Sequence, residues 1–187
     1  MKTIEINAYQ YDELSDKAKE NVQNYYVEKI FPDWWHEIVY EDANQFYLRI
    51  EEFDVYRSYC TVSFIYYPED TAKAIVENAG GELLELAKDW ADEVNDLFKS
   101  YSDYDKYLEW LNEMEYSLDD MEFEDWVLEE SGYQDDKESV NDDFLRQLEE
   151  YYLRYLKSDY EYYSSEEYIE EMCMANNYWF DINGKIL

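Results

Sequence analysis

Acidic and aromatic residues are interleaved along the whole of this chain, and that mixture dictates how it can fold. Forty-eight Asp and Glu stand against 15 Lys and Arg, a formal net charge of −33, together with 23 Tyr, 6 Trp and 8 Phe. Aromatic rings gain free energy by leaving water, whereas carboxylates lose it. A chain with both at every few positions must therefore bury one face of each element and expose the other. Disordered acidic tails lack the rings, so an ordered core is expected. The 187 residues suit a single domain over 1–187, with a helical acidic sub-lobe over 82–160. With 2 Pro and 4 Gly there is no flexible linker on which to place a boundary.

The fold class expected is α+β, with a small antiparallel sheet, several amphipathic helices and a helix-rich acidic middle. Residues 3–9 alternate apolar and polar, as a strand does. Ser15 is placed to cap a helix carrying Leu14, Ala18, Val22 and Tyr25 or Tyr26, which ends near Ile30 ahead of Pro32. A second helix is predicted from Asp33 to about Tyr47, with Trp35, Val39, Ala43 and Phe46 in one row. Residues 50–57 and 59–67 read as a hairpin turning at Arg57 and Ser58. Pro68 opens a helix that closes at Gly80 and Gly81, and a strong apolar period then runs from Leu83 to Tyr101. Three capping boxes, Ser102 with Asp105, Ser139 with Asp142 and Ser164 with Glu167, predict further helix starts. A weaker helix is expected over Asp120 to Ser131, followed by a mobile polar loop from Ser131 to Glu138. At the other end, Ile182-Asn183-Gly184-Lys185 is a turn signal. The C-terminal strand it implies would rejoin the N-terminal strand and the hairpin in one sheet.

Catalytic chemistry has little to stand on. The single histidine, His36, sits beside two tryptophans on an amphipathic stretch and is read as structural. Cys60 and Cys173 are far apart and have no metal-spaced companions, so they are read as buried, inert thiols in a reducing compartment. Asp103, Asp105 and Glu109 lack the glycine and terminal glutamate of a calcium loop, and no phosphate-cradling glycine loop occurs. Neither a metal nor a cofactor is expected, and the protein is read as a binding protein and not an enzyme. The first residues contain no apolar secretion segment, and a cytoplasmic protein is expected.

The distribution of charge is more informative. Seventeen acids lie between Asp103 and Asp143 against Lys106 and Lys137, a net of −15. Two exposed acids per helical turn would place a charge about every 2.7 Å of axis. Duplex DNA carries one per ~1.7 Å. Two such helices side by side would approach a polynucleotide in charge density. The candidate partner-binding residues are Asp103, Asp105, Glu109, Glu113, Asp119, Asp120, Glu122, Glu124, Asp125, Glu129, Glu130, Asp135, Asp136, Asp142, Asp143, Glu149 and Glu150. Adjacent tyrosines (Tyr25-Tyr26, Tyr66-Tyr67, Tyr151-Tyr152, Tyr162-Tyr163) cannot both face inward, so some phenols are expected at the surface as interface anchors.

Several phrases also carry a resemblance: Met1-Lys2-Thr3-Ile4-Glu5-Ile6, Tyr11 to Ser15, Asp33-Trp34-Trp35, Phe53-Asp54-Val55 with Arg57 and Tyr59-Cys60, and Ser165 to Glu171 before Ala175-Asn176. Together they resemble a family of small acidic proteins encoded by bacteriophages and prophages, often catalogued as an antitoxin of a toxin-antitoxin stability system. The resemblance covers both ends and the central hairpin and leaves 82–160 unmatched. In composition the chain is also similar to phage proteins that mimic nucleic acid, among them anti-restriction and anti-CRISPR inhibitors. The function expected is inhibition of a host defence protein (a CRISPR effector, restriction enzyme or related nuclease) by occupying its nucleic-acid groove. The alternative is an antitoxin that neutralises a basic toxin by stoichiometric binding. Either way the expected partner in the bacterial host is a basic protein, a nucleic-acid-binding one in the first case, with homodimerisation left open. Neither nucleic acid itself nor a membrane is expected to bind so negative a surface.

Overall fold

The computed structural model describes residues 7–114, 116–117 and 121–187. The predicted strand over 3–9 lies mostly outside this range, since residues 1–6 are not described. Among the described residues the fold is α+β with a helix-rich body: eight α-helices, a short 3-10 helix at Tyr11–Glu13 and one two-stranded antiparallel sheet. The helices are α1 (Asp16–Lys29), α2 (Glu37–Gln45), α3 (Pro68–Asn78), α4 (Gly81–Tyr101), α5 (Tyr104–Glu113), α6 (Phe123–Glu129), α7 (Tyr133–Tyr163) and α8 (Glu166–Ala175). The strands are β1 (Leu48–Asp54) and β2 (Tyr59–Phe64). The chain forms two compact units. One combines the segment up to Val39 with Arg154–Leu187, and the other is the continuous stretch Tyr40–Leu153.

The unit built from the chain ends closes around Tyr11, Leu14, Ala18, Val22, Tyr26, Ile169, Cys173 and Phe180. Ser15 caps α1 by accepting the Ala18 N–H, and the i, i+4 spacing of Ala18, Val22 and Tyr26 sets one buried stripe. Tyr26 is the inward member of its pair, and Tyr25 is exposed. Ser165, one residue later than predicted, caps α8 by accepting the Tyr168 N–H; Ser164 instead donates its hydroxyl to the Tyr160 carbonyl.

The two terminal segments meet through reciprocal hydrogen bonds between Tyr9 and Phe180, each 2.9 Å, and Phe180 bridges again to Ile186. Among the described residues these segments pair with each other only at isolated positions, and the sheet consists of the two hairpin strands, where a sheet that also included the terminal strands was expected. The expected turn over 182–185 is present. The Asp181 carboxylate accepts the N–H groups of Asn183 and Lys185, which holds its carboxyl below the usual range, and Gly184 takes a φ of +82°. A Cβ at Gly184 would lie 2.3 Å from the Ala18 carbonyl oxygen on α1.

In the other unit, β1 and β2 pair in the register Leu48 with Phe64 and Asp54 with Tyr59, with a bulge between Ile50 and Glu52. The strands are shorter than the predicted 50–57 and 59–67, because the Asp54 carboxylate turns the chain early by accepting the N–H groups of Tyr56 and Arg57. Ser58 takes the positive φ that its side chain does not favour, +60°. Buried Leu48, Ile50 and Val62 line the packed face. Trp90 of α4 stacks on Phe144 of α7 at 5.3 Å and donates its indole N–H to Asn141, which fixes α4 to α7.

Three other predicted starts shift. The second helix begins at Glu37, not Asp33, since 33–36 form turns tied back to Pro32 and Trp34. Asp103, not Ser102, caps α5 by accepting the N–H groups of Asp105 and Lys106. The polar stretch 133–138 is the first part of α7 and not a loop, so Ser139 lies inside a helix.

Gly184→Ala is expected to destabilise the protein by roughly 2 kcal/mol, because the residue combines a left-handed backbone with contact against a helix carbonyl. Urea unfolding followed by circular dichroism measures it.

Candidate partner-binding surface

The acid-rich stretch folds around an aromatic cluster of Tyr107, Leu111, Trp126, Val127 and Tyr133, with Phe98, Tyr101, Trp110, Met121 and Phe123 packed against it. Tyr107 alone contacts the rings of Tyr104, Phe123 and Trp126 at 5.4 to 5.6 Å. The rings give α5, α6 and the start of α7 a common interior, and the carboxylates are displayed on its outside.

On α5, Asp105, Glu109 and Glu113 lie at i, i+4 and i+8, opposite the buried Tyr107 and Leu111. All three are exposed and follow one another at about 6 Å along the axis. This is sparser than two acids per turn. Glu122, Glu124, Asp125, Glu129 and Glu130 crowd the ends and outer face of α6, around buried Trp126 and Val127, and are exposed. Asp119 and Asp120 lie outside the described residues.

The first five turns of α7 carry a pattern not recognised in the sequence. Acids come as neighbours, Asp135-Asp136, Asp142-Asp143 and Glu149-Glu150, repeated every seven residues. Seven residues are nearly two turns, so each row drifts by only about 20° per repeat. Asp136, Asp143 and Glu150 therefore form one row, and Asp135, Asp142 and Glu149 a second about 100° away. The core stripe of Phe144, Leu148 and Tyr152 runs along the remaining face. Five of the six acids are exposed; Glu149 is half-buried.

Some predicted residues also work within the fold. Glu149 accepts the Val62 N–H at 3.1 Å, satisfying a donor of β2. Asp103 is the α5 cap, Asp136 accepts the Tyr101 hydroxyl, and Asp143 pairs with Arg146 at 2.9 Å. Lys137 does not neutralise the acids beside it in sequence. Its ammonium reaches Glu69 on α3 and lies 5.9 Å above the Tyr133 ring. Burial works to raise the Glu69 carboxyl, but the Lys137 contact holds it below the usual range. Lys106 lies 3.9 Å from Asp103. Of the two lysines within 103–143, Lys137 is thus engaged away from the neighbouring acids, whereas Lys106 stays beside one of them.

Elsewhere, Cys60 and Cys173 are free and buried, and burial pushes their thiols up to about 12 and about 11. Such thiols are poor nucleophiles at neutral pH. His36 packs edge-on against Trp35. Among the described residues no three His, Cys, Asp or Glu converge to hold a metal ion, and no helix is long and apolar enough to cross a membrane. Comparisons with protein-family models, curated proteins and solved structures find no match to this chain.

Two outcomes are expected. Glu149→Ala leaves the Val62 N–H without its acceptor and costs about 1–3 kcal/mol in denaturant unfolding, whereas Glu149→Gln keeps an acceptor oxygen and recovers most of it. The second concerns pH. Burial raises the Asp42 carboxyl, against the hydrogen bond it accepts from Tyr152, and burial raises Asp159. A raised carboxyl keeps its proton in the folded protein where the unfolded chain has lost it, so stability falls as pH rises through the raised value. Repulsion among the surface carboxylates acts in the same direction. The thermal midpoint is expected to fall as pH rises from about 4, where the unfolded carboxyls lose their protons, and Asp42→Asn to flatten that slope.

Proposed function

We propose that this protein is an inhibitor that stands in for a nucleic acid, occupying the basic groove of a host nucleic-acid-binding defence protein. The observation that carries this reading is the doubled acid row on α7, backed by the acids of α5 and α6 around one aromatic cluster. A groove built for phosphates places lysines and arginines in register with a stiff, regularly charged rod. Recurrence every seven residues along a helix supplies charge pairs at steps of about 10.5 Å on a support that does not flex. Release of counterions from both partners would favour association at low salt. The phage setting implied by the sequence resemblance points to a restriction enzyme, a CRISPR effector or a related nuclease as the target.

Two variants with the same net charge separate a specific surface from a bulk effect. In the first, Glu109, Asp125, Asp135 and Asp142 become Lys; these four are exposed. In the second, Glu28, Glu41, Glu167 and Glu171, also exposed, become Lys. In pull-downs from bacterial lysate at low salt, the first is expected to lose target capture by at least about tenfold and the second by far less. Equal loss from both, or wild-type capture of no nucleic-acid-binding protein, would sink the reading. Capture that persists undiminished in high salt would transfer the case to a stoichiometric antitoxin.

A further inference from the structure

Of the four adjacent tyrosine pairs, three turn one ring inward or partly inward. The exception is Tyr66-Tyr67, where both are exposed, at 63% and 73%. They lie between β2 and α3, and the Tyr66 ring meets that of Tyr47 edge-on at 5.4 Å. Tyr47 is itself 42% exposed and sits at φ +59°, a left-handed conformation that is costly for a bulky side chain. The fold thus maintains a strained residue whose side chain stays partly in water.

Beside the Tyr47 ring opens a cleft of about 210 Å³, lined also by Gln45, Asp70, Lys73, Glu77 and Asn78. Asp70, Lys73 and Glu77 fall on one face of α3 at i, i+3 and i+7. Two carboxylates outweigh one ammonium, and the two amide side chains add carbonyl acceptors. A ring wall, carboxylates and amide oxygens form a combination that a planar guanidinium satisfies at once. It stacks on the ring and donates in a fixed fork, neither of which an ammonium can do.

We propose that the Tyr47–Tyr66 ring pair and its cleft form a second docking surface that takes an arginine side chain of the partner protein. The proposal rests on the partner being basic, as in the function proposed above, and adds that arginine is selected over lysine at this point. Tyrosine and arginine are the residue types that concentrate binding energy at interfaces.

The full-length protein with ¹³C-labelled tyrosine rings, titrated with acetyl-Gly-Arg-Gly-amide and its lysine counterpart, tests this by NMR. The Tyr47 and Tyr66 ring signals, assigned through Tyr47→Asn and Tyr66→Ser, are expected to shift saturably, with arginine peptide binding at least about threefold tighter than lysine peptide. Asparagine accepts a left-handed backbone, so Tyr47→Asn is expected to leave the thermal midpoint unchanged or higher while weakening arginine-peptide binding about fivefold. Equal affinity for the two peptides, or undiminished arginine binding in Tyr47→Asn, would overturn the proposal. The four acids reversed on α5, α6 and α7 lie outside the cleft, so that variant is expected to keep the arginine preference whether or not it captures a target. Loss of the preference there would also overturn it.

Discussion

Ring-to-ring packing is the interaction on which the rest of this protein depends. A chain with a formal charge of −33 repels itself in any compact state. The opposing attraction cannot come from ion pairs, because there are only 15 basic side chains, and most of the pairs they form sit in water, where each contributes little. It comes from buried aromatic and aliphatic area: Tyr11, Tyr26 and Phe180 in one unit, Trp90, Phe144, Tyr107 and Trp126 in the other. Tyrosine suits this role because its hydroxyl can end at a polar partner, as Tyr107 does at the Met121 carbonyl and Tyr152 at Asp42.

That division of labour explains why the proposed surface can be so uniformly negative. The carboxylates on the outer faces of α5 and α6 hold nothing together in the main, so they are available to a partner. The exceptions mark where structure and display overlap. Asp103 starts a helix, and Glu149 completes the hydrogen bonding of β2. Changing these alters stability and charge together, which is why neither belongs in a test of charge alone.

Much of the fold was legible in the sequence wherever an apolar stripe repeats at helical spacing. The stripe of Ala18, Val22 and Tyr26, the run from Leu83 to Tyr101 and the Pro68 helix start all appear as read. The failures have a common cause. The start of α7 reads as a loop in the sequence because 134–138 is wholly polar, yet Tyr133, Lys137 and Asn141 continue the stripe of Phe144 and Leu148 toward the N-terminus. A lysine stem passes for apolar when its ammonium has Glu69 and the Tyr133 ring to meet. Two of the three capping boxes are off by one residue, because Ser102-Asp103 and Ser164-Ser165 offer two cap candidates in a row and tertiary packing picks between them; the third, at Ser139, falls inside α7. The acidic surface was legible as composition, but its seven-residue pairing required knowing that 133–150 is one helix. The strained Tyr47 had no sequence signal.

The way the units are threaded has a consequence for how the protein is made. Tyr40–Leu153 is a single uninterrupted stretch, so its contacts can mature as soon as it leaves the ribosome. The other unit cannot: Tyr9 finds its hydrogen-bond partner only at Phe180, and Ala18 meets Gly184 only when that turn has formed. During synthesis, the apolar side chains of Tyr11, Val22 and Tyr26 must therefore wait uncovered in water until more than a hundred further residues have been added. The acids between them, Asp12, Glu13, Asp16 and Glu20, are well placed to keep neighbouring nascent chains apart in that interval.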